Sequence, residues 1–412
     1  MKRSNLDRQT ILIFLLLFPH MKPPSLEYLA PLLETAFDMG RLVSAVLIVL
    51  LILAERKKPS PALLFFAALE LWIIAMTALF NRQYVIGAII NCSSVVIVFA
   101  IIEYYARRCP DKLLHALMAN LGWIVLANLI TVLVFYPDGI YMADGEHADY
   151  FLGQKNSFIT FILPAIAVAM LYFCSGRRIR ALIILGAGVA AIVMLWSATS
   201  VVGLLLMGLV LLLGLRGKNR LLRPTFIWLV TLIADYLIAV YRILDRPGPL
   251  NTFITQVLHK NTTLTGRTAI WDAFYPMFFR RPITGYGFRK YIDVGEKVFF
   301  HAHNSYFQFL LMGGLVALVL FLLFNLAVLY RMERQPGSRV TVILTAALAA
   351  VYVMHLSEAE NSIMSALVLA LANNAAYFDA WLSGPETKPE PDFSSGEETP
   401  EEELIPEGQE IL

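Results

Sequence analysis

Long apolar stretches alternate with short polar connections along most of the chain. A helix needs roughly 20 residues to cross about 30 Å of hydrocarbon, and most of these stretches approach that length. The pattern predicts about twelve transmembrane helices, near residues 10–28, 41–54, 61–80, 84–106, 113–136, 157–174, 181–196, 199–215, 224–243, 304–329, 340–356 and 361–382. The expected fold class is therefore all-α, a polytopic integral membrane domain spanning residues 1–382.

Two of these stretches have a second interpretation. The first has a clean apolar core only from Ile11 to Phe18, and a cleaved signal peptide has a similar pattern, although no small-residue cleavage site follows. The stretch 181–215 fits either two helices or one long kinked helix. Either choice leaves the order of the later helices unchanged.

Alternate connections between the predicted helices are rich in Lys and Arg. They are "ERKK" at 55, "ARRCPDK" at 106, "GRRIR" at 176, "RGKNRLLR" at 216 and "RMERQPGSR" at 331. Since Lys and Arg accumulate in cytosolic loops, these five connections are expected in the cytosol and both termini with them. The protein is then a multi-pass membrane protein. The longest outward segment is about 244–303, an extracytoplasmic loop expected to contain short helices.

Composition and charge agree with this division. The chain is 58% hydrophobic and 16% charged, far from the balance of a soluble domain. The apolar pattern stops at residue 382, and 383–412 reads as a disordered acidic cytoplasmic tail that carries ten of the 31 acids and one of the 33 basic residues. Without it, 32 basic and 21 acidic residues remain, so the membrane domain is basic. A cytosolic partner for the tail is one interpretation. The three cysteines indicate no disulfide framework.

The predicted outer loop has a surplus of positive charge. From Asp245 to His303 it contains eight Lys or Arg residues and four acids. Long loops escape the charge rule for sidedness, so the surplus does not overturn the predicted topology. It indicates either an anion-binding site or a basic surface that attracts anionic lipid head groups.

A short helix is predicted within this loop, from Gly266 to Phe278 with Thr265 as its N-cap. Arg267 then lies in the first turn, where free backbone N–H groups and the helix dipole already favour an anion, and a guanidinium adds a two-pronged grip on phosphate. Trp271 and Tyr275 share its face. An interfacial helix anchored by aromatic side chains is the alternative.

Two histidines and an asparagine directly precede the next apolar stretch. Ser305 and Gln308 have capping-box spacing, which predicts that the helix begins near Ser305 and places His303 at its outer end. The positive end of the helix dipole disfavours an imidazolium, so His303 is a candidate general base or hydrogen-bonding group for a substrate. A metal site built on His301 and His303, or structural histidines, are the alternatives.

Together these residues resemble the superfamily of O-antigen ligases and Wzy-type polysaccharide polymerases. The resemblance covers about residues 195–330 and rests on a Gly-Arg followed by Trp, a Pro-x-x-Gly-x-Gly, a His-Asn that opens a membrane helix, and a Gly downstream. In this chain they are Gly266, Arg267, Trp271, Pro282, Gly285, Gly287, His303, Asn304 and Gly314. Their order within one outer loop carries the resemblance.

The resemblance implies a membrane glycosyltransferase that needs neither a metal nor another cofactor. Such an enzyme transfers or polymerises saccharide from an undecaprenyl-diphosphate carrier onto an acceptor saccharide or glycolipid. It acts on the outer side of the plasma (inner) membrane, in surface polysaccharide biosynthesis. Arg267 and His303 take the family's catalytic positions. Substrate-binding roles follow for Trp271, Asn304, His301, Lys155, Asn156 and for Arg280, Arg281 or Arg289.

One departure from the family pattern concerns a second arginine. Members often carry a Ser-Arg pair at the start of a central span, whereas this chain reads "WSATSVVG" there, with Ser197 and Ser200 but no Arg. A second phosphate-binding arginine must then be Arg280, Arg281 or Arg289, and the sequence does not choose among them.

A transporter or flippase of lipid-linked saccharides is the rival interpretation. Transporters usually carry ionisable residues near the bilayer midplane. Here Glu70 and Asp235 are the few charges within predicted spans, and both are assigned to helix packing or a cavity. Because the polar chemistry gathers in the outer loop, the sequence favours an enzyme. No nucleic-acid partner is indicated.

Overall fold

The computed structural model describes residues 7–56, 58–142, 145, 147–216, 222–248, 252, 266–295, 297–299, 301–335, 337–356 and 362–384. The acidic tail that the sequence predicts to be disordered lies outside the described residues from position 385 onward. So does Thr265, the predicted N-cap of the loop helix.

Helices form nearly all of the regular structure. They are α1 Arg8–Leu17, α2 Leu26–Leu29, α3 Pro31–Glu55, α4 Pro61–Phe80, α5 Val85–Ala106, α6 Pro110–Phe135, α7 Phe158–Cys174, α8 Arg178–Leu195, α9 Ala198–Arg216, α10 Pro224–Asp235, α11 Arg267–Arg280, α12 Ser305–Glu333, α13 Arg339–His355, α14 Ile363–Asn373 and α15 Ala375–Ser383. Short 3₁₀ turns occupy Phe18–Met21 and Arg82–Tyr84, and a π-helical turn, Tyr236–Val240, follows α10.

The predicted helices are helical in the structure, but the count of twelve membrane spans is not confirmed. Among the described residues, six helices are long and apolar enough to cross a membrane, or seven if α14 and α15, which meet at 56°, form one broken span. Five further apolar helical segments are shorter. The architecture is that of an all-α membrane protein with few strands.

One boundary differs from the sequence prediction for a local reason, and of the two interpretations of 181–215 the structure has the two helices. The first helix, predicted over 10–28, gives way to a 3₁₀ turn at Phe18, where Pro19 follows, and this turn ends at Met21. The stretch 181–215 is two helices, because Trp196 adopts a left-handed backbone conformation with φ 46° and ends α8. A non-glycine residue in that conformation does not continue a right-handed helix.

Part of the core forms where α4 packs against both α12 and α5. Phe66 and Phe324 stack there with ring centroids 4.4 Å apart, and Phe99 meets Phe324 edge-on. The periphery is apolar and exposed, as on α3, where Leu32 is 89% exposed. Apolar side chains on both the inner and the outer surface are what a helix bundle in lipid requires.

Two small hairpins lie in the segments predicted to face outward. β1 Asp149–Tyr150 pairs with β2 Gly153–Gln154 just before α7, and β3 Ile292–Val294 pairs with β4 Lys297–Phe299 just before His301. The second hairpin returns the chain from the loop to the start of α12.

Candidate functional site

The Pro-x-x-Gly-x-Gly segment docks into a break in α12. Gly314 interrupts that helix with φ 64° and ψ −158°. Across the break the backbone N–H groups of Tyr286 and Gly287 donate to the carbonyls of Leu311 and Met312, both at 2.8 Å. A broken helix leaves carbonyl groups without intrahelical partners. Here the loop supplies partners for two of them.

The glycines of the motif are where the backbones touch. A Cβ on Gly285 would lie 2.6 Å from the Leu311 carbonyl oxygen, and one on Gly314 would lie 2.3 Å from the Ile283 carbonyl carbon. A Cβ on Gly287 would lie 2.6 Å from the Cα of Thr77 in α4. All three glycines also have positive φ. Close approach and backbone conformation both require glycine here.

The same loop is bound to α4. The backbone N–H of Phe288 donates to Thr77 Oγ1 at 2.8 Å, and Asn81 Nδ2 donates to the Phe288 carbonyl at 2.7 Å. Trp72 Nε1 donates to the carbonyl of Gly313 at 2.8 Å, one residue before the break. The loop, α4 and α12 therefore form one fixed frame.

The loop helix predicted over 266–278 is present as α11, with Gly266 at its N-cap and Arg267 half-buried in its first turn. The face of α11 that carries the aromatic side chains packs against the rest of the protein. Trp271 is fully buried and its Nε1 donates to the carbonyl of Ala302 at 3.0 Å. The Tyr275 hydroxyl donates to the carbonyl of Ala239 at 3.1 Å, and burial raises the pKa of this phenol. Trp271, predicted to bind substrate, anchors α11 to the histidine segment.

A second, smaller core forms around this anchor. It consists of Ala239, Ile270, Trp271, Phe274, Ile292, Ala302, Phe307 and Leu311. These residues come from the π-helical turn, α11, β3 and the start of α12. The loop helix α11 is thus packed against neighbouring elements in a small core. The alternative, a helix lying on the bilayer surface, did not predict this packing.

His303 projects from a strained turn immediately before α12. Its φ is 47°, and its ring centroid lies 4.0 Å from that of His301 at an interplanar angle of 68°. Both side chains are half-buried. Among the described residues, no cluster of three or more His, Cys, Asp or Glu side chains has the arrangement of a metal site.

Helix α12 begins at Ser305, as the sequence predicts, but its cap is a different residue. Asn304, fully buried, is the N-cap and its Oδ1 accepts from the N–H of Phe307 at 2.9 Å. Gln308 reaches past the cap and its Oε1 accepts from the N–H of Ala302 at 2.9 Å. Asn304 was predicted to bind substrate, and its amide oxygen is occupied by the helix.

The three arginines considered for a second phosphate contact differ in environment. Arg280 and Arg289 are exposed, and Arg289 has φ 54°. Arg281 is half-buried, with its guanidinium 4.0 Å from the ring centroid of Phe80 and 5.1 Å from that of Tyr286. Stacking on two rings orients a guanidinium while its N–H edge stays available. The docked loop therefore fixes Arg281 more firmly than the other two.

A family comparison relates part of the chain to known proteins. The family model of the O-antigen ligases matches residues 148–322. Because of this similarity, we refer to these residues as the ligase domain. No curated protein matches the chain. The match starts earlier than the region of about 195–330 indicated by the motifs, so the ligase domain also includes the β1–β2 hairpin and α7.

Lys155 and Asn156, at the start of the ligase domain, are exposed. Asn156 Oδ1 accepts from Ser197 Oγ at 2.8 Å, which links the β1–β2 hairpin to the turn between α8 and α9. Ser197 belongs to the stretch in which the family pattern has an arginine. In this chain the serine binds the residue that follows the β1–β2 hairpin.

Two residues of the ligase domain contact the site residues although the sequence did not assign them there. Asp235, interpreted as a helix-packing or cavity residue, accepts from Asn304 Nδ2 at 2.5 Å. Arg242 donates through Nη2 to Asp272 Oδ1 at 2.7 Å and to the carbonyl of Thr268 at 3.2 Å. It also lies 5.2 Å from the Trp271 ring centroid. In the sequence, an acidic residue at the end of an apolar helix was a signal that could have identified Asp235. No sequence signal pointed to Arg242.

Proposed function

We propose that the protein is a membrane-embedded glycosyltransferase. It transfers or polymerises saccharide from an undecaprenyl-diphosphate carrier onto an acceptor sugar at the outer face of the plasma membrane. One observation carries the proposal. Trp271, one helical turn after Arg267, is hydrogen-bonded to Ala302, the residue before His303. Four residues advance a helix by roughly 6 Å. The start of α11, where we place the phosphate, and the imidazole of His303 therefore belong to one rigid unit.

In the proposed reaction the acceptor hydroxyl oxygen attacks C1 of the donor sugar. The bond between C1 and the phosphoryl oxygen breaks, and undecaprenyl diphosphate leaves with the electron pair. The acceptor proton passes to the His303 imidazole, which later releases it to water. Arg267 and the positive end of the α11 dipole stabilise the charge that develops on the leaving diphosphate.

Arg281 supplies the second cation in this proposal. Among the three candidate arginines it is held by two aromatic rings and by the docked loop. Arg281 is the C-cap of α11, whose first residue is Arg267, so about 20 Å of helix separates the two positions. We therefore assign Arg281 to an anionic group of the substrate away from the phosphate at Arg267. No nucleotide sugar and no metal ion take part.

The test is transfer by the purified protein from a lipid-linked oligosaccharide in the presence of EDTA. We expect turnover by the wild type, and a decrease of about 10²–10⁴-fold in kcat for His303→Ala, because the acceptor then lacks its base. His147→Ala, an exposed histidine of another predicted outer segment, is the matched control and should retain activity. A ladder of products would indicate a polymerase, and a single transferred block a ligase.

Three results would contradict the proposal or a part of it. Full turnover by His303→Ala would remove the assigned base. Movement of intact lipid-linked saccharide across the bilayer without transfer to an acceptor would indicate a transporter instead. Loss of wild-type turnover in EDTA would restore the metal alternative for His301 and His303.

A further inference from the structure

The residues on both sides of His303 are held by side chains from three different helices. Ala302 is bound by Gln308 of α12 through its N–H and by Trp271 of α11 through its carbonyl. Asn304 caps α12 and donates to Asp235 at the end of α10. His303, between them, has a left-handed backbone that is rare for a residue with a side chain. Such a conformation persists when its surroundings determine it.

Asp235 is an unusual residue for its place in the chain. It ends the apolar helix Pro224–Asp235, is only 7% exposed, and is 69 positions away from the asparagine that it binds. The π-helical turn Tyr236–Val240 follows directly and carries Ala239 into the small core beside Trp271. Burying a carboxylate in an apolar helix is costly, so it needs a compensating partner. Asn304 is that partner.

A carboxylate also determines which way the Asn304 amide points. The amide has one accepting oxygen and one donating NH₂ group, whereas a carboxylate only accepts. The amide presents Nδ2 to Asp235, and its oxygen accepts from the Phe307 N–H that it caps. A partner that both donates and accepts would allow the amide to flip and lose the cap.

We propose that Asp235 is the positioning residue for His303. Through the Asn304 amide it holds the turn that aims the imidazole at the acceptor. This inference rests on the proposed function, because it assigns the turn a part in transfer. Asp235 itself contacts neither donor nor acceptor in this account, and its effect passes entirely through Asn304.

The experiment exchanges the two partners. Asp235→Ala should lower kcat about 10–100-fold and change KM for the lipid-linked donor less than about threefold, because a misplaced base slows chemistry without weakening donor binding. Asn304→Asp alone places two carboxylates against each other and should be at least as impaired. The double variant Asp235→Asn with Asn304→Asp restores one amide and one carboxylate, and Asp remains a good N-cap. We expect the kcat of this double variant to lie within about fivefold of the wild-type value. A double-mutant cycle then measures the coupling between positions 235 and 304.

A second readout does not depend on activity. Hydrogen–deuterium exchange of the backbone amides of 301–308 should accelerate in Asp235→Ala and Asn304→Asp and return toward the wild-type rate in the double variant. Asp293→Ala, which removes an exposed carboxylate of the same outer segment, is the control and should match the wild type in both readouts.

The outcomes separate the two claims. If the wild type transfers saccharide and Asp235→Ala does so equally well, or if the exchanged pair stays as impaired as Asn304→Asp, the positioning role is refuted. If the wild type transfers nothing, the proposed function is refuted, and the exchange rates alone then decide whether Asp235 holds the turn.

Discussion

At the scale of single residues, the chemistry of the proposed site depends on where a few polar groups are held. Arg267 begins a helix, at the positive end of its dipole, and His303 lies in a left-handed turn just before another helix. In the proposal their backbone positions supply the chemistry, since a helix start favours an anion and the turn places an imidazole beside the start of α12.

A substitution series at Arg267 tests the phosphate role. Arg267→Ala should lower kcat/KM by about 10²–10³-fold, as expected when a charge-stabilising donor is removed. Arg267→Lys should recover only part of this loss, because an ammonium keeps the charge but not the two-pronged geometry. Lys297→Ala, an exposed cation on β4, is the control in the same transfer assay. Equal activity of Arg267→Ala and wild type would contradict the assignment.

At the same scale, the sequence singled out candidate site residues but did not predict their contacts. Arg267 and His303 stood out because each precedes or begins a helix, which is a local signal. The pairing of Asp235 with Asn304 joins positions 69 apart, and no local pattern contains it. The capping prediction chose Ser305 because Gln308 has the right spacing, but Asn304 is the cap and Gln308 binds Ala302.

At the scale of elements, the docking of Pro282–Phe288 into the broken helix is the feature that brings the loop to a fixed place. Hydropathy predicted α12 correctly as a helix over most of its length, because apolar residues dominate it. The break at Gly314 was not predicted, since a glycine in an apolar helix is common and only the loop packed against it explains the unusual ψ of −158°.

Alanine substitutions in the docking loop should therefore affect both stability and activity. Gly285→Ala forces a side chain into a left-handed conformation, which costs about 1–3 kcal/mol, and adds a Cβ 2.6 Å from a carbonyl oxygen. We expect a lower melting temperature in detergent and reduced transfer. A Cβ on Gly208, in α9, would have no neighbour within 4 Å, so Gly208→Ala should leave both quantities unchanged. A stable, fully active Gly285→Ala would show that the loop need not dock.

At the scale of the whole molecule, the helix order follows from the alternation of apolar and polar stretches, but the number of spans does not. Several apolar helices are shorter than a bilayer crossing, among them Phe158–Cys174 and Pro224–Val240. Composition alone does not distinguish a short span from a helix that ends inside the bundle. The acidic tail and part of the outer loop lie outside the described residues, so their predicted properties stay predictions.

The predicted sidedness can be tested by labelling single cysteines in intact cells, after Cys92, Cys109 and Cys174 are replaced by serine. A membrane-impermeant maleimide should label Asp293→Cys without permeabilisation, because the basic connections place that loop outside. Lys58→Cys, exposed in a connection predicted to be cytosolic, should be labelled only after permeabilisation. The reverse pattern would place the proposed site in the cytosol and contradict the account.

The central claim is that the start of α11 and the turn at His303 enclose the diphosphate of one lipid-linked saccharide. A donor analogue with a photoreactive group beside its diphosphate tests this directly, by cross-linking to the protein and mapping the labelled peptides. We expect the cross-linked label in both 266–270 and 301–304 of the wild type. In Arg267→Ala the label should be lost from both segments. Label found only on segments away from these two, and unchanged in Arg267→Ala, would contradict the claim.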